Sequence, residues 1–405
     1  MAELLFLAHR IPFPPDRGDK IRSWHVLRHL AQRARVHLAC FADDGADAAH
    51  LEGLRAALGD RLGEVHVEVR TTSKAAAAAN ALRTGKPLSL TLFDSATMRR
   101  FVAGRLADAR VRGVYVFSGQ MAQFVPPRIS QRFVMDFVDM DSEKFASYAA
   151  DGAGVMRHVH AREAKKLFAF ERAVAARADV SLFVSDAEAA LVRARSGAAA
   201  VCGMANGIDS DFFRREADFP VLGAAERGTA PIILFTGQMD YRPNVDAVCW
   251  FARSVLPLVP GARFVIAGRN PAPEVTALAA ENVTVTGGVA DMRSWLAAAD
   301  VVVAPLLIAR GIQNKVLEAM AMARPVVASP AAFEGIEAEP GRHLLVAQQP
   351  LTFAEHINRL IGDPAWASQL GTAARDHVCR TYRWEARLAP LAGMLGMDPA
   401  TRAAA

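Results

Sequence analysis

The chain has 405 residues, 52% of them hydrophobic, which is too long for one ordinary core and suits two α/β domains of moderate size. Its four cysteines, Cys40, Cys202, Cys249 and Cys379, are scattered without C-x-x-C spacing or clustered histidines; this argues against a zinc centre or a disulfide framework and for core thiols in the cytoplasm. The net charge of +5 lies wholly in residues 1–225, with 31 Lys+Arg against 26 Asp+Glu, and residues 226–405 hold 16 of each; the excess is too diffuse for a nucleic-acid binder.

No apolar run approaches the roughly 20 residues needed to span a bilayer, and Leu4–Ala8 meets His9 and Arg10 where a signal peptide would stay apolar. Leu4–Ala8 reads instead as a first strand. The loop Arg10–Gly18, shaped by prolines and a glycine, leads into a helix over Asp19–Ala34 with Ile21, Val26, Leu27 and Leu30 as its buried stripe, Lys20, Arg22 and Arg28 elsewhere, and Asp19 at the cap. Asp16, Arg17 and Gly18 fit either plain turn chemistry or a substrate loop at a strand's carboxyl end.

Strands follow at Val36–Phe41, Val65–Val69, Gly113–Phe117 and Phe133–Val138, alternating with helical stretches; the Ala-rich segment Lys74–Asn80 interrupts them with no evident chemistry. Asp136, Asp139 and Asp141 gather at the fifth strand's end. Asp139-Met-Asp141 matches D-x-D, yet that spacing arises readily in a helix cap, so hydrogen bonds to a polar substrate are expected there rather than a metal. A helix over His158–Ala178, a strand at Val180–Val184 and a capping box at Ser185-Asp-Ala-Glu188 complete a first domain of residues 1–213, and the polar passage 214–229 reads as a linker.

A second alternating series over residues 230–384 begins at Pro231–Phe235 and continues with the loop Gly237–Asn244, a helix Val245–Leu258, strands Arg263–Arg269 and Val283–Val289, and a helix Asp291–Ala299. Val301–Ala304 then forms a strand buried on both faces, Gly311 lets the backbone turn into a helix, and Pro325 closes that helix before the next strand. The helix start offers free N–H groups and a positive dipole end to an anion. Lys315 and Glu318, one and two turns on, place an ammonium suited to phosphate and a carboxylate suited to hydroxyls on that same side. A last strand at Leu344–Ala347 and helices through Trp384 follow, and a segment from about Glu385 is placed to return to the first domain.

The loops Gly237–Asn244, Phe264–Arg269 and Thr286–Asp291, and above all Gly311-Ile-Gln-Asn-Lys-Val-Leu-Glu-Ala-Met-Ala with Arg324-Pro-Val-Val, resemble the nucleotide-sugar domain of glycosyltransferase family 4. Val184-Ser185 with Glu188, and Asn206-Gly-Ile-Asp209, extend the resemblance over essentially the whole chain. Asp240-Tyr-Arg-Pro-Asn244 with Ala309–Lys315 is similar to the sugar transferases of exosortase (PEP-CTERM) exopolysaccharide systems.

The resemblance implies a GT-B fold, two Rossmann-like domains with parallel sheets facing across a cleft. It further implies transfer from a nucleotide-diphosphate sugar, with retained configuration and no essential metal, to a glycan or polyprenyl-diphosphate-linked acceptor at the cytoplasmic face of the inner membrane. Glu318 would hold the ribose; Gly311, Ile312, Gln313 and Asn314 the diphosphate; Gly237 would border the donor, and backbone near Gly268 and Val289 would meet the base; Gly18 would leave room for the donor phosphates and the transferring sugar. Arg242 and Lys315 would stabilise the leaving phosphates, Asp139 would meet the reacting sugar, and Asp16, Arg17 and Asp136 the acceptor. The chain departs from the family where a glutamate is usual and Arg310 stands, which suits a further phosphate or anionic-sugar contact. Two rivals stay open: a nucleotide-sugar epimerase of the same architecture, and a silent scaffold, for which Arg310 is the argument.

Overall fold

Short runs rich in Val, Ile, Leu and Phe form thirteen strands among the described residues, because such runs bury both faces when helices cover a parallel sheet. The computed structural model describes residues 3–15, 17–151, 154–309 and 312–397. Contacts divide the chain into Met1–Asn206 with Leu388–Ala405, and Gly207–Arg387.

The first unit holds β1 (Glu3–Ala8), β2 (Arg35–Ala42), β3 (Leu62–Val69), β4 (Val111–Phe117), β5 (Arg132–Val138), β6 (Val180–Phe183) and β7 (Val201–Gly203) in the order β3-β2-β1-β4-β5-β6-β7, every neighbouring pair parallel. The second holds β8 (Ile232–Thr236), β9 (Arg263–Ala267), β10 (Val283–Gly287), β11 (Val301–Ala304), β12 (Val326–Ala328) and β13 (Leu345–Val346), again all parallel, in the order β10-β9-β8-β11-β12-β13. Strand order reverses beside β1 in one unit and beside β8 in the other, so the loops after β1 and β4, and after β8 and β11, flank the crevice where open parallel sheets take ligands.

The expected boundary moves. Gly207–Phe213 pack in the second unit: a Cβ on Gly207 would lie 2.6 Å from Trp384 Cα, Ile208 N–H donates to Tyr382 O at 2.7 Å, and Arg375 donates to Phe213 O at 2.9 Å. The passage 214–229 is no free linker either. Arg263 donates to the carbonyls of Glu226 and Arg227 at 2.7 Å each, and Arg227 pairs with Asp300 at 3.1 Å. At the other end Leu388, Leu391 and Leu395 are buried, and a Cβ on Gly113 of β4 would lie 3.1 Å from Leu395.

The first helix runs Gly18–Ala31 and is buried almost all round. Lys20 and Arg22, expected outside the apolar stripe, are both enclosed: Lys20 Nζ donates to Asp47 at 2.6 Å, and Arg22 donates to Asp136 at 2.8 and 3.2 Å. Arg17 takes the cap position, and Asp19, expected there, pairs with His9 at 3.2 Å and Arg10 at 2.7 Å. The Ala-rich interruption is a helix, Lys74–Thr84, capped by Ser73.

Candidate functional site

In the second unit, β8 ends at Thr236 and the chain turns through Gly237 to a helix over Arg242–Trp250; β11 leads by a longer loop to the helix Asn314–Ala321. Pro243 in the first turn supplies the fixed φ and missing N–H that a helix start tolerates, and it sets Asn244 facing back toward Gly237. Lys315 Nζ donates to Asn244 Oδ1 at 2.6 Å and stands 4.2 Å from the centre of the Phe235 ring. Asn244 Nδ2 donates in turn to Gln238 O at 2.8 Å, which fixes the amide so that its oxygen faces the ammonium.

Glycine is needed here for space. A Cβ on Gly268, after β9, would lie 1.5 Å from Gly237 O, and one on Gly237 would lie 2.8 Å from Asn244 Nδ2 and 3.1 Å from Lys315 Nζ. Gly268→Ala must therefore push the two loops apart, and we expect it to destabilise the second unit by about 3 kcal/mol or more, read as a lower melting temperature. An unchanged melt would mean that the loops are not held this closely.

Lys315 and Glu318 lie one turn apart and half-buried. Burial pushes the Lys315 ammonium down to about 7 while Glu318 pulls it back up, and burial pushes the Glu318 carboxyl up to about 7 against the pull of Lys315. A group poised this way answers an arriving anion by taking up a proton. Gln313 sits at the start of the helix with extended backbone, Ile312 packs against the core, and Asn314 is exposed. Val289 packs partly against the same core from the loop after β10. Arg310 and Gly311 lie outside the described residues.

Arg242 is not joined to the Lys315–Asn244 group. It is exposed at its helix start and pairs with Asp246, one turn along, at 2.9 Å. Asp240, also exposed, accepts from Asn270 at 3.4 Å. Ser329 Oγ donates to Leu306 O at 2.6 Å, pinning the start of the loop after β11 and leaving Leu307 and Ile308 exposed.

In the first unit Asp136 is a correction. It is fully buried, and each carboxylate oxygen is already satisfied, by Arg22, by the Tyr115 hydroxyl and by Val138 N–H, so neither oxygen is left to meet an acceptor. Asp139 is exposed just beyond, and partial desolvation together with nearby Asp141 raises its pKa. Val138 has φ 70° and Ser118, at the end of β4, φ 77°; a side chain held there is strained, and both lie at strand ends flanking the carboxylates. The Glu188 N–H donates to Ser185 Oγ at 3.2 Å, as a capping box requires, yet Glu188 Oε2 has no hydrogen-bond partner among the described residues, and burial, then Asp139, pushes its carboxyl up to about 7.

Arg17 pairs with Asp43 at 2.9 Å, in a group where Arg10 and Arg70 also reach Asp43. Burial would raise the Asp43 carboxyl, but the hydrogen bonds and charges of these arginines hold it low. A Cβ on Gly18 would meet nothing within 4 Å among the described residues, so their packing does not demand glycine there. Asp16 lies outside the described residues. Sequence reasoning missed Asn244 as a partner for Lys315; the Pro-Asn step at a helix start was the available signal.

Two all-parallel Rossmann-like sheets, each reversing order beside its first strand, define the GT-B class of fold. Residues 230–363 match the sequence profile of the group 1 glycosyl transferases. Over 246 residues the chain is 29% identical to the GDP-mannose-dependent alpha-(1-6)-phosphatidylinositol monomannoside mannosyltransferase of Mycobacterium tuberculosis; the match covers 55% of this chain and spans 63% of that relative's length. In fold, the chain is similar to HepE of Anabaena solved with UDP (TM-score 0.63, 15% identity, covering 98% of this chain and 99% of that one). It is also similar to a sucrose-phosphate synthase from Thermosynechococcus elongatus (TM-score 0.65, 17% identity, covering 97% and 98%).

Proposed function

We propose that the chain is a retaining glycosyltransferase that moves a sugar from a nucleotide-diphosphate sugar, without an essential metal, to a glycan or lipid-linked acceptor in exopolysaccharide or surface-glycan synthesis. The observation that carries this is the Lys315 ammonium, held by Asn244 beside the close-packed Gly237–Gly268 turn at the switch point of the second sheet. An ammonium, a helix start and backbone N–H groups at one such point suit a diphosphate. Glu318, on the same helix, suits the ribose hydroxyls. The relatives support the reading from outside the chain: one is named for a GDP-mannose donor and a phosphatidylinositol acceptor, another was solved with UDP.

On this reading, Gln313 and Asn314 face the diphosphate with Lys315, and the backbone at Gly268 and Val289 borders the base. Gly18, with open space at its Cα, leaves room for the transferred sugar. Asp139, exposed beyond β5, meets sugar hydroxyls. Breaking the anomeric bond builds negative charge on the phosphate oxygens, and cations fixed beforehand stabilise that charge more than they stabilise the bound substrate.

Calorimetry with UDP and GDP tests the donor site, and its pH dependence follows from the two poised groups. Above pH 7 a terminal phosphate is already ionised, while Lys315 loses its proton as pH rises through about 7. Affinity should therefore fall between pH 7 and pH 9, with protons taken up on binding. Below pH 7 Glu318 gains its proton and weakens as a ribose acceptor, so affinity should peak near neutrality. A dissociation constant that stays flat from pH 6 to 9 with no proton uptake would remove Lys315 and Glu318 from the site, and absence of any nucleotide binding would remove the reading itself.

A further inference from the structure

The first sheet has an end that the transfer reading leaves unused. β5 begins at Arg132 and β6 at Val180, and there the loop 126–131 that feeds β5 meets the end of the helix Gly154–Arg177 around a cleft of about 440 Å³. These are the amino ends of parallel strands. The crevice where such sheets take ligands lies at their carboxyl ends, so the cleft is separate from it.

Its charge is unbalanced. Arg128, Arg132 and Arg177 line the cleft with one acid, Asp179, a net charge of +2 from three cations less one anion. Asp179 is already engaged: one oxygen accepts from Arg132 Nη1 at 3.0 Å and the other from Phe133 N–H at 2.7 Å. Pro126 and Pro127 follow the 3₁₀ turn Gly119–Phe124 and cannot continue it, and the carbonyls left at its end are the ones that Arg177 takes. Arg177 donates to Ala122 O at 2.8 Å, Val125 O at 2.9 Å and Pro126 O at 2.7 Å, and lies over the Phe133 ring. Those bonds fix the guanidinium without neutralising it. Burial lowers its pKa, and no carboxylate offsets that. Arg128 is exposed and has no ion pair among the described residues, and the N–H groups of Arg128, Ile129 and Ser130 donate to no carbonyl among them.

A phosphomonoester carries up to two negative charges, and guanidinium forks match its oxygens in pairs. The cleft is roomier than a bare phosphate needs and falls in the size range of sites for small metabolites. We propose that this cleft binds a small phosphomonoester through Arg128, Arg132 and Arg177, at a site distinct from the transfer crevice. The proposal does not rest on the transfer reading.

Inorganic phosphate and ribose 5-phosphate, titrated at pH about 7.5, should each slow hydrogen exchange in peptides covering 128–133 and 174–181, the ester binding at least as tightly as the ion. Arg128→Gln should weaken both about tenfold, the expected loss of one charge-assisted hydrogen bond, and Arg128→Lys should recover part of that. Phosphate affinity should fall as pH drops through about 6, where the dianion takes up a proton, while sulfate, doubly charged throughout, should hold. No histidine lines the cleft, so that difference reports the ligand. UDP added to the same sample reports the donor site on peptides covering 313–321. Protection there with none at 128–133 by either phosphate defeats this proposal alone, and the converse defeats the transfer reading alone. The proposal also falls if Arg128→Gln binds as the parent does, if phosphate and sulfate weaken in step on acidification, or if inorganic phosphate binds and ribose 5-phosphate does not, which would leave an adventitious ion only.

Discussion

Lys315→Ala should lower the transfer rate by about 10²-fold or more, the size of effect seen when one preset group at a developing charge is removed. The ammonium is held between the Phe235 ring and Asn244, half-buried, where an electrostatic contact is worth more than in water. The loss should fall on kcat and on kcat/KM together, because the charge Lys315 meets is built mainly in the transition state. Folding should survive, since alanine suits a helix interior and the variant removes a cation that burial disfavours. Glu318 loses the charge that lowers its pKa, so the variant's carboxyl should titrate still higher and its residual nucleotide binding should fail at a higher pH than in the parent. Lys315→Arg should not restore the rate: a planar guanidinium needs more room than a compact ammonium, and the space beside Nζ is so narrow that a Cβ added to Gly237 would lie 3.1 Å from it. Initial rates with a nucleotide-sugar donor decide it, and a kcat for Lys315→Ala within threefold of the parent would mean that another group carries the leaving phosphate.

The two sheets were legible because strands covered on both faces read as unbroken apolar runs, and the runs at Leu4–Ala8, Val301–Ala304 and Val326 lie where the strands do. β7 escaped notice because three residues at a sheet edge leave no period to read. Lys315 and Glu318 were legible as a pair on one helix; Asn244 was not, because the lysine it orients lies 71 positions away. The same limit explains the first helix. Lys20 and Arg22 look like solvated charges until their partners, 27 and 114 positions on, are brought to them by the sheet. Charge marks a surface residue only when no partner is folded against it, and local pattern holds no information about distant partners.

Asp136→Asn should destabilise the first unit by about 3–5 kcal/mol, the expected effect of breaking a buried ion pair by neutralising one member. Arg22 is 1% exposed and Asp136 0%, so the guanidinium left behind cannot find water. The carboxylate also accepts from Tyr115, whose pKa burial and Asp136 raise well above the usual tyrosine value, keeping its O–H as a hydrogen-bond donor. Arg22 continues to Met204 O at 2.8 Å and Asn206 Oδ1 at 2.9 Å, so one guanidinium ties the first helix to β5 and to the stretch that ends the unit. Tyr115→Phe, which removes a single neutral donor, should cost only about 1 kcal/mol. Because the chain has two units, a single melting temperature would blend them. Hydrogen exchange read on peptides separates the effect: Asp136→Asn should speed exchange in β1, β4 and β5 and leave β8, β9 and β11 as they were. Val138, at φ 70°, is held by this same carboxylate through its N–H at 3.2 Å, so the variant should also release the strained turn that presents Asp139. If Asp136→Asn exchanged like the parent, the turn would owe its conformation to something other than the buried pair, and the role of Asp136 as the anchor of that loop would be lost.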